Sequence, residues 1–332
     1  MFRFFHFPRV VLDEVIRCMN PLDLITVSQC SKHSLTLLQY LVSHKPYALE
    51  MRSDESISIF YEDSKYTVFA CDENYRSYDH VATPKHPRST LDELEFVVFE
   101  SKKDEVSTLW DDRFDGLYSL YHHFIAIYQK PIRFLNFKDY GGFQNNYDIL
   151  LLVSRNQTRI EKANVSVAAL NVEEANDLLA TLQSVEHLTL YLDVCEEIAN
   201  RKYEFKSIRV ACGLWVTLPR LLNMNCDKVS IDWVGYTSTD LNLYLKCWIL
   251  NFVPRAKEVS LELDVELSVA LTDIPHEETK NRSKLDAQFT TIVGTAYDIR
   301  RCDGVIATVF VMETGDTFGH HRVSFELRVI DQ

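Results

Sequence analysis

Two adjacent histidine pairs, His122–His123 and His320–His321, and one dense run of carboxylates are the first places in this sequence to look for chemistry. Neighbouring side chains on a helix or strand point in different directions, so neither histidine pair closes on one metal ion without further ligands. The eight cysteines (Cys18, Cys30, Cys71, Cys195, Cys212, Cys226, Cys247 and Cys302) are scattered and form no CxxC pair, so none supplies zinc-site spacing. Asp104, Glu105, Asp111, Asp112 and Asp115 gather within "DEVSTLWDDRFDG". Their spacing is not that of an EF-hand loop, and acid–base work needs carboxylates converging in a pocket. The stretch reads as a solvated acidic loop. With nine glycines, the chain has neither a P-loop nor a dinucleotide fingerprint, and no GxSxG or HExxH motif occurs. No catalytic residue and no metal or other cofactor is expected. An α/β hydrolase would need a clustered nucleophile and base that no motif supplies. Trp215, Trp233 and Trp248 fall within or beside expected elements and read as core, unless one lies on an open strand face and serves as a contact anchor.

Three stretches of different pattern must position whatever the protein uses. Residues 1–45 open with apolar residues at helical spacing: Val11, Leu12, Val15, Ile16 and Met19 on one face, then Leu22, Leu24, Ile25 and Val27, then Leu35, Leu37, Leu38 and Leu41. Pro8 suits a helix start, Asn20 caps the second helix ahead of Pro21, and Ser31 or Ser34 caps the third. Residues 46–115 change to period two in "YALEM", "SISIFY", "KYTVFAC" and "LEFVVFES", with the proline-bearing loop "HVATPKHPRST" between strands. Over 116–332 helices and strands alternate. The strand centres near Val165, Leu188, Ile208, Val229 and Val259 are about 20 to 30 residues apart, the interval of leucine-rich repeats. A non-repeating α/β domain fits the spacing nearly as well, but each unit is too short to pack as an independent layer, which favours a degenerate solenoid. Asp303 and Gly304 stand between two alternating runs, the signal of a two-residue hairpin, and "HRVSFELRVI" adds a strand to a terminal sheet that would cap the solenoid. The fold class is therefore α/β (α+β overall): three helices, a strand-rich segment, and a repeat-like α/β region with a terminal hairpin.

Composition bounds the role. The chain has 332 residues, 46% hydrophobic and 25% charged, enough apolar material for a substantial core. Its net charge of −13 argues against nucleic acid or an anionic membrane as partner, since basic patches supply most of that affinity. Asp13 and Glu14 interrupt the N-terminal apolar run, and no apolar segment reaches the roughly 18 to 20 residues that span a bilayer. A cytoplasmic or nuclear location is expected.

The stretch "FPRVVLDEVIRCMNPLDLITVSQCSKHSLTLLQYL" resembles the F-box, the helical motif that docks many proteins onto the Skp1 adaptor of cullin–RING ubiquitin ligases. Phe7–Pro8 stands where the family usually has Leu-Pro, and the tryptophan common late in the motif is absent. "TSTDLNLYLKCWILN" and "YDIRRCDGVIATV", together with "SIRVACGLWVTLPRLLNMNCDKVSI", resemble the F-box-associated type 2 domain, abundant in the F-box families of nematodes. The resemblance implies an adaptor that binds Skp1 through Phe7, Pro8, Leu12, Ile16, Pro21, Leu22 and Ile25, reaches the cullin through Skp1, and holds an unidentified target protein in its C-terminal region. A forty-residue helical unit buries too little surface to be stable alone, so its spare apolar faces must be covered by the rest of the chain, by a partner, or by both. An interaction scaffold outside any ligase is the alternative.

Overall fold

Three caps shape the start of the chain in the computed structural model, which describes residues 7–71, 89–91, 94–102, 104–138, 143–167, 170–192, 202–280, 285, 292–315 and 321–329. Helix α1 (Arg9–Cys18) follows Pro8 at its N-cap. Helix α2 (Pro21–Ser28) is closed by a reciprocal box, in which the Asn20 side chain accepts from the Asp23 N–H at 2.9 Å and the Asp23 carboxylate accepts from the Asn20 N–H. Helix α3 (Lys32–Val42) starts at Ser31, whose hydroxyl accepts from the Ser34 N–H. The Asn20 and Ser31 side chains satisfy backbone donors that a helix start leaves open, whereas Pro8 makes no side-chain cap bond.

The chain forms two compact units, residues 1–160 and 161–332. In the first, α1–α3 are followed by strands β1 (Ala48–Arg52), β2 (Ser56–Tyr61), β3 (Ser64–Cys71), β4 (Ser89–Leu91), β5 (Leu94–Lys102) and β6 (Glu105–Leu109), then helix α4 (Arg113–Tyr128), β7 (Ile132–Lys138) and helix α5 (Phe143–Asn156). The strands lie in the order β7-β1-β2-β3-β6-β5-β4. The expected boundaries at 45 and 115 fall inside this unit, because α4 packs against α2 and α3 as well as against β2, β3 and β6. Leu117, Leu120, Tyr121, Phe124, Ile127 and Tyr128 form one buried stripe of α4, and Gly116, Ser119 and His123, also buried, widen it beyond the face of a one-sided amphipathic helix. The acidic stretch is not one loop: Glu105 opens β6, and Asp112 caps α4 by accepting from the N–H groups of Phe114 and Asp115. Most of "HVATPKHPRST" lies outside the described residues, as does His320.

The second unit opens with β8 (Ile160–Val167) and continues through α6 (Val172–Thr181), β9 (Val185–Leu192), β10 (Ser207–Val210), α7 (Leu218–Leu222), β11 (Lys228–Ile231), α8 (Ser238–Ile249), β12 (Glu258–Glu262), α9 (Leu267–Ala270), β13 (His276–Glu278), β14 (Ile292–Arg300), β15 (Ile306–Gly315) and β16 (His321–Val329). Strands β9 to β12 run parallel as consecutive neighbours, in strict register through Leu188, Ile208, Val229 and Val259. Along each, buried apolar residues alternate with polar ones. The buried set continues into α8 through Leu241, Tyr244, Leu245 and Trp248. Asn171 and Glu174 form the capping box expected for α6.

The terminal strands differ from expectation. They continue the same sheet, with β16 pairing antiparallel to β12 on one side and β15 on the other. The β14–β15 turn is wider than the Asp303–Gly304 pair, since Arg300 is opposite Ile306. Arg301 braces the turn: its guanidinium donates to both Asp303 oxygens and to the Pro254 carbonyl, while its N–H donates to the Val305 carbonyl. Gly304 supplies the left-handed φ of +94° that the turn needs.

Gly116 of α4 faces the buried Trp110, whose indole N–H donates to Thr108 at 2.7 Å, and a β-carbon at Gly116 would overlap that ring. Gly116→Ala is expected to destabilise the protein by about 1–3 kcal/mol through overpacking. The check is the urea midpoint, and an unchanged midpoint would show that the contact yields freely.

Candidate functional site

Seven N-terminal residues were expected to meet a partner, and the structure separates them. Leu12, Ile16, Pro21 and Ile25 are buried within the chain, Leu22 is half-buried, and Phe7 and Pro8 are exposed. The buried four face a seat of polar contacts around α2. The Tyr128 hydroxyl donates to the Pro21 carbonyl at 2.9 Å, the Ser28 hydroxyl lies 2.7 Å from His123 Nε2, and Lys45 Nζ donates to the Ile16 carbonyl. Tyr47 packs against Tyr128 with ring centroids 4.7 Å apart, and burial pushes both hydroxyls well above the usual tyrosine range. The open strip is instead formed by Phe7, Pro8, Val10 and Val11, with Val10 75% exposed, and by Tyr40, over whose ring the Arg9 guanidinium sits at 4.1 Å. Val10 and Tyr40 were missed because helical spacing marks the buried stripe and is silent about apolar residues beyond it.

The second candidate surface is the open face of the β8–β12 and β16 strands. Period-two alternation places His187, Ser207, Lys228, Glu258 and Arg328 in one row across five strands, and Thr189, Arg209, Ser230, Ser260 and Glu326 in the next. These residues and Lys162 line an open groove of about 450 Å³, apart from Glu326, which lies under it. Lys228 Nζ pairs with Glu258 Oε1 at 2.7 Å and Arg328 pairs with Glu258 Oε2 at 2.5 Å. His187 Nδ1 is 2.8 Å from the Ser207 hydroxyl. Glu326, 2% exposed, accepts from Ser260, Ser324 and Arg328, yet burial still holds its carboxyl above the ordinary glutamate range. At the far end of the strands Arg209 pairs with Asp232, and Trp233 lies beneath the Arg322 guanidinium, which pairs with Glu262. Trp233 is 55% exposed, whereas Trp215 and Trp248 are core.

The His122–His123 pair is engaged in other contacts, and the other pair lies partly outside the described residues. His123 is taken up by Ser28, His122 packs edge-on against Tyr118 and Tyr121, and among the described residues no group of three His, Cys, Asp or Glu side chains is placed to hold an ion. Among them, too, no helix is long and apolar enough to cross a membrane.

Comparison with known families gives two matches. Residues 4–45 match the F-box domain, and residues 195–261 match the F-box associated family, which takes in β10, α7, β11, α8 and β12. No curated protein and no solved structure matches the chain.

Because the folded pKa of Glu326 is raised, the folded state holds its proton more tightly than the unfolded chain does. Its contribution to stability is therefore full below the ordinary glutamate value and is lost as pH rises through the folded value. Unfolding free energies of wild type and Glu326→Gln, measured across the acid range, should diverge in that direction. A difference independent of pH would show that Glu326 titrates normally.

Proposed function

We propose that this chain, an F-box protein with an F-box-associated domain, is the target-recognition subunit of a Skp1–cullin–F-box ubiquitin ligase. The observation that carries this is the strip Phe7, Pro8, Val10 and Val11. It is apolar, open to solvent, and presented by a helical unit whose Leu, Ile and Met side chains are buried or half-buried. A Skp1-type adaptor docks on that strip, with Leu22 at its margin, and links the chain to a cullin. Leu12, Ile16, Pro21 and Ile25 act one step back, holding α1 and α2 in place. The remainder of the first unit is the connecting segment, and the second unit holds the target.

No chemistry falls to this chain. F-box and F-box-associated domains are interaction modules, and an adaptor accelerates ubiquitin transfer by keeping a target near a loaded carrier enzyme. Among the described residues two serine–histidine contacts occur, but neither suits a hydrolase. Ser28 is buried and donates to the Ile25 carbonyl, and His187 has no described carboxylate within hydrogen-bond distance to orient it. The strand–helix units of the second unit are read as degenerate leucine-rich repeats, a reading supported by the parallel, consecutive order of β9 to β12. The cytoplasm or nucleus, where such ligases work, is the proposed location.

Titration of the full chain against purified Skp1-type adaptor tests the proposal. Val10→Asp/Val11→Asp changes only exposed positions and is expected to weaken binding at least tenfold with an unaltered melting profile. Leu12→Ala/Ile16→Ala should instead unfold more readily, by about 2–5 kcal/mol per site. Absence of binding by the folded wild type would remove the ligase role and leave an interaction scaffold.

A further inference from the structure

We infer that the open face of the second unit's sheet takes an extended acidic peptide of the target, its carboxylates among Lys162, Arg209 and Lys228 and an apolar side chain against Trp233. The inference rests on the target-holding role proposed above and names the chemistry of what is held.

Charge complementarity is the first ground. The chain carries 13 excess negative charges, yet the groove is lined by four permanent cations, Lys162, Arg209, Lys228 and Arg328, against the single carboxylate of Glu258. Glu258 is shared between two of them, one oxygen to Lys228 and the other to Arg328. Arg209 meets Asp232 through one nitrogen only, and its side chain remains 60% exposed. Lys162 is exposed and makes no ion pair with a described residue. An ammonium has three donors and a guanidinium five, so these groups keep donors to offer a visitor. The hydroxyls of Thr189, Ser207 and Ser230 lie between them on the same face.

The layout of the cations decides what kind of anion fits. Lys162 is on β8, Arg209 on β10 and Lys228 on β11, so the charges are strung across strands about 4.8 Å apart rather than gathered on one point. A compact dianion would use one of them well and leave the others. A chain of single carboxylates crossing the strands would use each in turn, and loses little where a cation is already half-neutralised.

Trp233 is the second ground. It follows β11 with φ at +59°, a left-handed region that is strained for a bulky side chain, and its ring stays largely open. Two neighbours hold it there. The Glu262 carbonyl accepts from the Val234 N–H, and Gly213, whose N–H donates to the Asp232 carbonyl, has no room for a β-carbon beside the Ile231 side chain. A strained tryptophan left exposed under Arg322 suits a binding anchor, since Trp and Arg dominate interface energetics.

The probe is a fluorescein-labelled peptide of alternating glutamate and leucine, titrated into the full chain at moderate salt, with matched peptides carrying glutamine or phosphoserine for glutamate. The glutamate peptide should bind at least tenfold more tightly than the glutamine one. Lys162→Glu/Arg209→Glu, two exposed changes, should abolish that advantage, while Lys32→Glu in the first unit leaves it intact. Trp233→Ala should weaken the leucine-bearing peptide several-fold. Equal binding of glutamate and glutamine peptides, or an unaffected double variant, overturns the inference. So does binding confined to the phosphoserine peptide, which would assign the groove to phosphorylated targets. Adaptor binding is read on the same samples. If it persists while peptide binding fails, only the acidic-peptide assignment falls; if wild type loses the adaptor but binds the peptide, only the ligase role falls.

Discussion

The burial of α4 on several sides at once is the constraint from which the first unit follows. A helix of sixteen residues with its interior positions covered on the side of β2, β3 and β6 must also be covered on the side of the N-terminal helices, or it would present an apolar flank to water. Helices α2 and α3 provide that cover, and two polar contacts fix where α2 sits: Pro21 to Tyr128, and Ser28 to His123. A short helical module that could not persist alone thereby gains a seat of definite geometry. What remains uncovered is small, apolar and fixed in place, a favourable state for a docking surface because little further ordering is needed on binding.

In the second unit the corresponding constraint is register. Parallel strands in strict alignment bring every second residue of successive strands into straight rows, so side chains twenty to thirty positions apart in sequence become lateral neighbours. His187, Ser207, Lys228 and Glu258 share a row for this reason, and β16 extends it by placing Arg328 opposite Glu258. A one-residue slip in any strand would send these groups into the core and bring Leu188, Ile208 or Val229 to the surface. The apolar alternation that specifies the core therefore also specifies the arrangement of the polar face.

Much of this was legible in the sequence, and the parts that were not share a physical reason. Caps are local: Asn20 and Asn171 could be read from residues three positions away, and Ser31 was one of two serines open for the third helix. Strands β9 to β12 were equally clear from alternation. Long-range facts were hidden. That α2 would seat on α4, Pro21 on Tyr128 and Ser28 on His123, depends on residues about a hundred positions later, and that β16 would return to β12 depends on pairing that local pattern does not encode. The turn around Gly304 misled because the same residues also suit a three-residue loop, in which the Gly304 N–H donates to the Arg301 carbonyl, the Arg301 N–H donates to the Val305 carbonyl and Gly304 takes the left-handed position. Of the tryptophans, only the backbone conformation at Trp233 distinguishes the exposed one from its buried counterparts.

The placement of β16 between β12 and β15 bears on how the protein is made. Strand β12 leaves the ribosome with a bare edge, its backbone groups unpaired, and the strand that closes it is the last in the described chain. At about 5–20 residues per second, that edge stays open for several seconds of synthesis, while β14 and β15 emerge with their own unmatched side. The nascent chain thus passes through an interval in which the recognition unit has a sticky flank. The rate of arrival of residues 321–329 sets how long that flank stays open.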